Sequence, residues 1–118
     1  MRIIMIVVSF LLVVLGNGAA CAHAFLDHAS PLVGSTVPTA PREVSLSFTQ
    51  NLEAAFSSVE VTDGSGARVD QGKPQITGST MRIGLKSLSP GTYHVHWHVL
   101  SVDAHKTEGS FAFHVGSP

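Results

Sequence analysis

The stretch Gly91 to Leu100 constrains the fold of this chain more than any other. It reads Gly-Thr-Tyr-His-Val-His-Trp-His-Val-Leu, so Tyr93, Val95, Trp97 and Val99 alternate with His94, His96 and His98. An extended strand sends successive side chains to opposite faces, which makes one face of this stretch apolar and the other polar. A helix would scatter the same four apolar residues around its circumference. The same alternation predicts strands over Glu43 to Phe48, Ser58 to Thr62, Thr80 to Lys86 and Gly109 to Val115. Asp63-Gly64-Ser65-Gly66 and Ser89-Pro90-Gly91 are turn signals between them, and Pro31, Pro38 and Pro41 predict irregular chain near the start. No window carries a helical period. Short, evenly spaced strands with a buried Trp97 read as an all-β sandwich, with Phe111, Phe113 and Val115 on its inner side.

Ahead of these strands, Met1 to Ala22 reads as a secretory signal peptide. Arg2 gives the positive start, Ile3 to Leu15 is apolar except for Ser9, and Ala20-Cys21-Ala22 fits the small-x-small cleavage rule. The expected organisation is a signal over 1–22 and a single domain over 23–118. Cleavage after Ala24, or lipidation at Cys21, are the competing possibilities. No second apolar run follows, so the mature domain is expected to be exported, with no stable membrane insertion. With 7 Lys and Arg against 8 Asp and Glu, the chain has no basic footprint for nucleic acid. Cys21 is the only cysteine, and cleavage removes it. The mature chain therefore lacks the thiolate that a blue-copper electron-transfer site requires.

Histidine is the compositional anomaly, with 7 residues, as many as Lys and Arg together. Cleavage after Ala22 would make His23 the first residue. An amino-terminal histidine offers its free amine and ring Nδ1 as a chelating pair, and such a tetragonal nitrogen and oxygen set suits Cu(II). Asp103-Ala104-His105 is the best internal candidate. If the segment is extended, residues two apart point the same way and the carboxylate and imidazole converge. His94, His96 and His98 form either an auxiliary metal patch or a solvent-facing polar stripe. The stripe is the preferred reading, because three ligands in a row on one flat strand do not surround an ion. Asp27 and His28 follow the expected terminus closely, and His114 is expected to face outward. Met81 is the one methionine beyond the signal, so it reads as core; one thioether makes no soft Cu(I) site. There is no Gly-rich phosphate loop, no G-x-S-x-G and no cysteine nucleophile.

In combination these residues carry a resemblance. His23-Ala24, Ser30-Pro31 with Gly34-Ser35, Leu46 to Leu52, Gly91 to Val99, Ser101-Val102-Asp103-Ala104-His105 and Gly109 to Phe113 together resemble the CopC family of periplasmic copper-resistance proteins. The resemblance spans nearly the whole mature chain. It implies a Greek-key β-sandwich of cupredoxin-like or immunoglobulin-like form, about seven strands, binding one Cu(II) in the periplasm. The family's ligands carry over to His23, Asp103 and His105. Some relatives place a Glu near the copper in F-S-E-N-L; here the stretch is Phe48-Thr49-Gln50-Asn51-Leu52, with neutral Gln50 at that position. Some carry a methionine-rich loop for Cu(I); the matching stretch, Thr62 to Thr80, has no methionine.

The expected function is that of a copper-binding protein, not an enzyme, that sequesters copper or delivers it to an inner-membrane copper transporter or another periplasmic copper protein. A histidine-brace copper oxidoreductase, resembling lytic polysaccharide monooxygenases, and a metal-free sandwich acting as an interaction module are the alternatives.

Overall fold

The computed structural model describes residues 24–116. The expected signal peptide, Cys21 and His23 lie outside the described residues. Eight strands follow one another: β1 (Leu26–Ser30), β2 (Thr36–Val37), β3 (Glu43–Phe48), β4 (Ser58–Thr62), β5 (Asp70–Thr77), β6 (Thr80–Leu85), β7 (Gly91–Leu100) and β8 (Lys106–Val115). A 3-10 turn, Ala54–Phe56, precedes β4. One sheet has the order β1-β3-β6-β5 and the other β2-β8-β7-β4, which makes the expected all-β sandwich. Among the described residues no helix is long and apolar enough to cross a membrane.

The strands that alternate cleanly in sequence lie where alternation places them. β3, β4 and β7 match the predicted spans, and β6 ends one residue earlier, at Leu85. Three strands lack that signal. β5 reads Asp-Gln-Gly-Lys-Pro-Gln-Ile-Thr and lies at a sheet edge, where only Ile76 packs against the core. Its register with β6 shifts between Gln71 and Gln75, around Gly72 at φ 78° and Pro74. An edge bulge tolerates both residues, because few ladder bonds are lost there. β1 and β2 occupy the proline-marked region that was expected to be irregular, and both are edge strands. β8 starts at Lys106, three residues before the predicted Gly109. Its first residues alternate polar with small rather than polar with apolar, yet they pair with β7 from Leu100↔Lys106 onward.

The inner faces make one core. Val44, Leu46, Phe48, Met81, Ile83 and Leu85 from one sheet meet Val59, Val61, Tyr93, Val95, Trp97, Val99, Phe113 and Val115 from the other. Phe111 is half-buried at its margin. Phe48 meets the Trp97 ring edge-on at 5.1 Å, and Tyr93 stacks on Phe113 at 5.6 Å. Both spacings are favourable for aromatic quadrupoles.

Trp97 pairs across the ladder with Gly109. A Cβ on Gly109 would lie 2.5 Å from Trp97 Cζ2, so the indole occupies the space a side chain would fill. Trp97→Ala is expected to cost about 3–5 kcal/mol, as large aromatic truncations do. Gly109→Ala is expected to cost about 1–3 kcal/mol through overpacking. Denaturant titration of the single and double variants checks this. The Gly109→Ala penalty should largely vanish in the Trp97→Ala background, and full additivity would show that the two do not share that space.

Candidate metal centre

β7 and β8 are joined by the turn over residues 101–105, which holds the Asp103 and His105 pair. Ser101 is the fixed point of this turn and is fully buried. Its amide donates to the His105 carbonyl at 3.0 Å, and the Ala104 amide donates back to the Ser101 carbonyl at 2.8 Å. The Ser101 hydroxyl donates to Asp103 Oδ1, and it accepts from the His105 amide at 3.4 Å.

The expected extended geometry does not occur. Ala104 has φ 71°, the left-handed region, and residues 102–104 form turn and bend. A residue with a Cβ adopts this conformation rarely. Asp103 and His105 converge because the chain reverses between them, not because the segment is extended. His105 Nδ1 lies 3.3 Å from Asp103 Oδ1, with the two side chains 47% and 36% exposed. The pair is thus backed by a buried hydroxyl and open to solvent.

The Ser101 hydroxyl is the largest influence on the Asp103 carboxyl and holds it below the ordinary aspartate value; residual desolvation opposes it, and His105 lowers it further. Asp103 is consequently an anion over a wider acid range than a free aspartate.

Two other segments reach this turn. The Val102 amide donates to the Asn51 carbonyl at 3.0 Å, and Leu52 bridges to Ser101. The Phe48 to Leu52 stretch, which contains Gln50, therefore borders the pair. From the other side, the Thr107 hydroxyl donates to the Ala24 carbonyl at 2.8 Å. Ala24 is fully buried, and the Phe25 amide beside it donates to Thr49 Oγ1 at 2.9 Å. The segment that follows His23 is thereby pinned two residues from His105. Ser101 and Thr107, which shape the surroundings of the pair, were not among the expected site residues. Ser101 was visible in S-x-D-x-H, but nothing in one sequence reveals its burial.

The remaining candidates lie elsewhere. Asp27 and His28 sit at 3.5 Å from one another, both exposed, on β1. His114 Nδ1 pairs with Thr92 Oγ1 at 2.9 Å. Met81 is fully buried, as expected of core. Tyr93 and Trp97 are buried, so neither presents a flat face to solvent. His94 and His98 are exposed and His96 is half-buried, on the outward face of β7.

The fold and the turn define a small β-sandwich with a carboxylate and imidazole pair at one end. A CopC domain model matches residues 26–116, and the chain belongs to the CopC family. It is 35% identical over 102 residues to Protein YobA of Escherichia coli K12, covering 80% of this chain and 79% of that one. It is 34% identical over 110 residues to Copper resistance protein C of Xanthomonas campestris pv. juglandis, covering 86% of each. The crystal structure of CopC from Methylosinus trichosporium OB3b superposes with a TM-score of 0.76 at 32% identity, covering 80% of this chain and 95% of that one.

The Asp103 shift has a signed consequence. A carboxyl with a depressed folded pKa adds stability that is present above its ordinary pKa and is lost as pH falls through the depressed value. Ser101→Ala removes the main cause, so Asp103 should titrate closer to the ordinary aspartate value. Carboxyl-carbon NMR titration of both proteins reads this directly. Unchanged titration in Ser101→Ala would show that the hydroxyl does not set the carboxyl's affinity for protons.

Proposed function

We propose that this chain is an exported copper-binding protein that takes up one Cu(II) through His23, Asp103 and His105 and sequesters it or hands it on outside the inner membrane. The observation that carries the reading is the bond from Thr107 to Ala24 beside the Asp103 and His105 pair. It tethers the residue after His23 to the strand that leaves the ligand turn. Family membership supports a copper-related role, and the Xanthomonas relative is named for copper resistance.

In this reading His23 supplies its amine and Nδ1, His105 an imidazole nitrogen and Asp103 a carboxylate oxygen. Three nitrogens and one oxygen fill a tetragonal plane of the kind Cu(II) prefers. Export and cleavage after Ala22 are part of the proposal, because the amine exists only on a first residue. Gln50 at the border adds no charge. With no methionine in Thr62 to Thr80, Cu(I) has no thioether cluster to bind.

Intact mass of the exported protein should correspond to a chain beginning at His23. A chain beginning at Phe25, or at a lipidated Cys21, would remove the chelate. His105→Ala should lower Cu(II) affinity more than about tenfold, since even residues supporting a metal ligand act on that scale. It should also simplify the nitrogen hyperfine pattern in electron paramagnetic resonance. Retained affinity with an unchanged spectrum in His105→Ala would place the copper elsewhere. Competition with a Cu(I) chelator should leave Cu(I) with the chelator.

A further inference from the structure

The outward face of the β7–β8 ladder holds a second group of potential ligands, separate from the turn. Among the described residues, His96, His98 and Glu108 each offer one ligand atom, and these atoms all lie within 4.8 Å of one another. His98 Nδ1 is 2.9 Å from Glu108 Oε1, and the His96 and His98 rings are 4.6 Å apart. We propose that His96, His98 and Glu108 form a second metal site, which takes a divalent ion of the Cu(II) class.

The objection to a histidine stripe is that ligands along one flat strand do not surround an ion. The structure removes it by supplying the third ligand from the neighbouring strand. His98 and Glu108 are ladder partners, while His96 is two residues along β7 on the same face. The three side chains thus mark a triangle, not a line. Ligand atoms about 2 Å from a metal lie about 3 Å apart when adjacent. His98 and Glu108 already meet that spacing, and the His96 ligand atom, within 4.8 Å of both, would have to close on the ion. Water would fill the remaining positions, as in open three-ligand sites.

Glu60 on β4 is the ladder partner of His96, so a second carboxylate flanks the group, with the Arg68 guanidinium as its electrostatic neighbour. Lys106, two residues before Glu108 on β8, is the nearest opposing charge along the strand. His94 pairs with Ala112 and Thr62 and gains no carboxylate neighbour across either ladder, so it falls outside the site. Two rungs, Val99↔Thr107 and Leu100↔Lys106, separate the triangle from the turn. At about 3.3 Å per residue the two sites lie on the order of 10 Å apart along one hairpin. This site does not depend on the amino terminus.

The exported protein is titrated with Cu(II) alone, by calorimetry and electron paramagnetic resonance. Two equivalents are expected. His98→Ala and Glu108→Gln should each weaken one equivalent tenfold or more while leaving the other spectrum intact. His105→Ala should do the reverse, and His94→Ala should leave both unchanged. All four positions are exposed, and circular dichroism checks that each variant is folded. Uptake of a single equivalent that His98→Ala leaves unchanged overturns the second site. A second equivalent lost equally in His94→Ala overturns the assignment of its ligands. If His98→Ala removes one equivalent and His105→Ala none, the second site stands and the amino-terminal one fails.

Discussion

The β7–β8 ladder is the interaction on which the rest of this molecule depends. It pairs Gly91 through Leu100 with Val115 through Lys106 without a register shift. Because side-chain direction alternates with every residue, a slip of one position would turn Trp97, Tyr93 and Val95 outward and bury the histidines. Gly109 helps to hold the register, since only a residue without a side chain leaves room for the indole opposite. Core packing on one face, the imidazoles on the other and the turn that carries Asp103 and His105 at the end are therefore consequences of one pairing.

The turn inherits its position from that ladder and its shape from Ser101. A hydroxyl buried where two strands part would be costly if left unpaired. Here it is satisfied by Asp103 and by the backbone of His105, and those bonds bring carboxylate and imidazole together. The left-handed Ala104 between them shows that local backbone preference yields to this set of bonds. Ser101 thus closes the hairpin, aims the pair and lowers the Asp103 carboxyl below its ordinary pKa.

How much of this could be read from sequence depended on burial. β3, β4, β6 and β7 are half-buried strands, and half-burial writes an alternating pattern. Exposed strands write none: Asp70 to Thr77 is mostly exposed, so selection for an apolar face is weak, and β1 and β2 lie mostly exposed among prolines, whereas β4, also at an edge, keeps its pattern because Val59 and Val61 are buried. At the site, Asp103 and His105 were legible as ligand types, but their convergence arises from a tight turn rather than an extended segment. Ser101 and Thr107 look like ordinary polar residues in one dimension. Glu108 became significant only when the ladder set it opposite His98, a relation across a turn that no local window contains.

The proposed ligands at the turn are exposed, while the backbone that carries them is held by a buried hydroxyl and two strands. A rigid support favours binding because little ordering remains to be done when the ion arrives. Exposure leaves a path for a competing ligand to displace it, which suits cargo better than a sealed structural ion. Proton competition sharpens the same point. Metal binding requires deprotonated ligands. Ser101 holds the Asp103 carboxyl below its ordinary range, so this carboxylate stays anionic to lower pH than a free aspartate. A buried aspartate, with its pKa raised by desolvation, would behave in the opposite way and surrender its charge early. The exposed turn and the buried serine beneath it are in this sense one arrangement: the first leaves the pair open to solvent, and the second holds the carboxylate in place and favours its charged form.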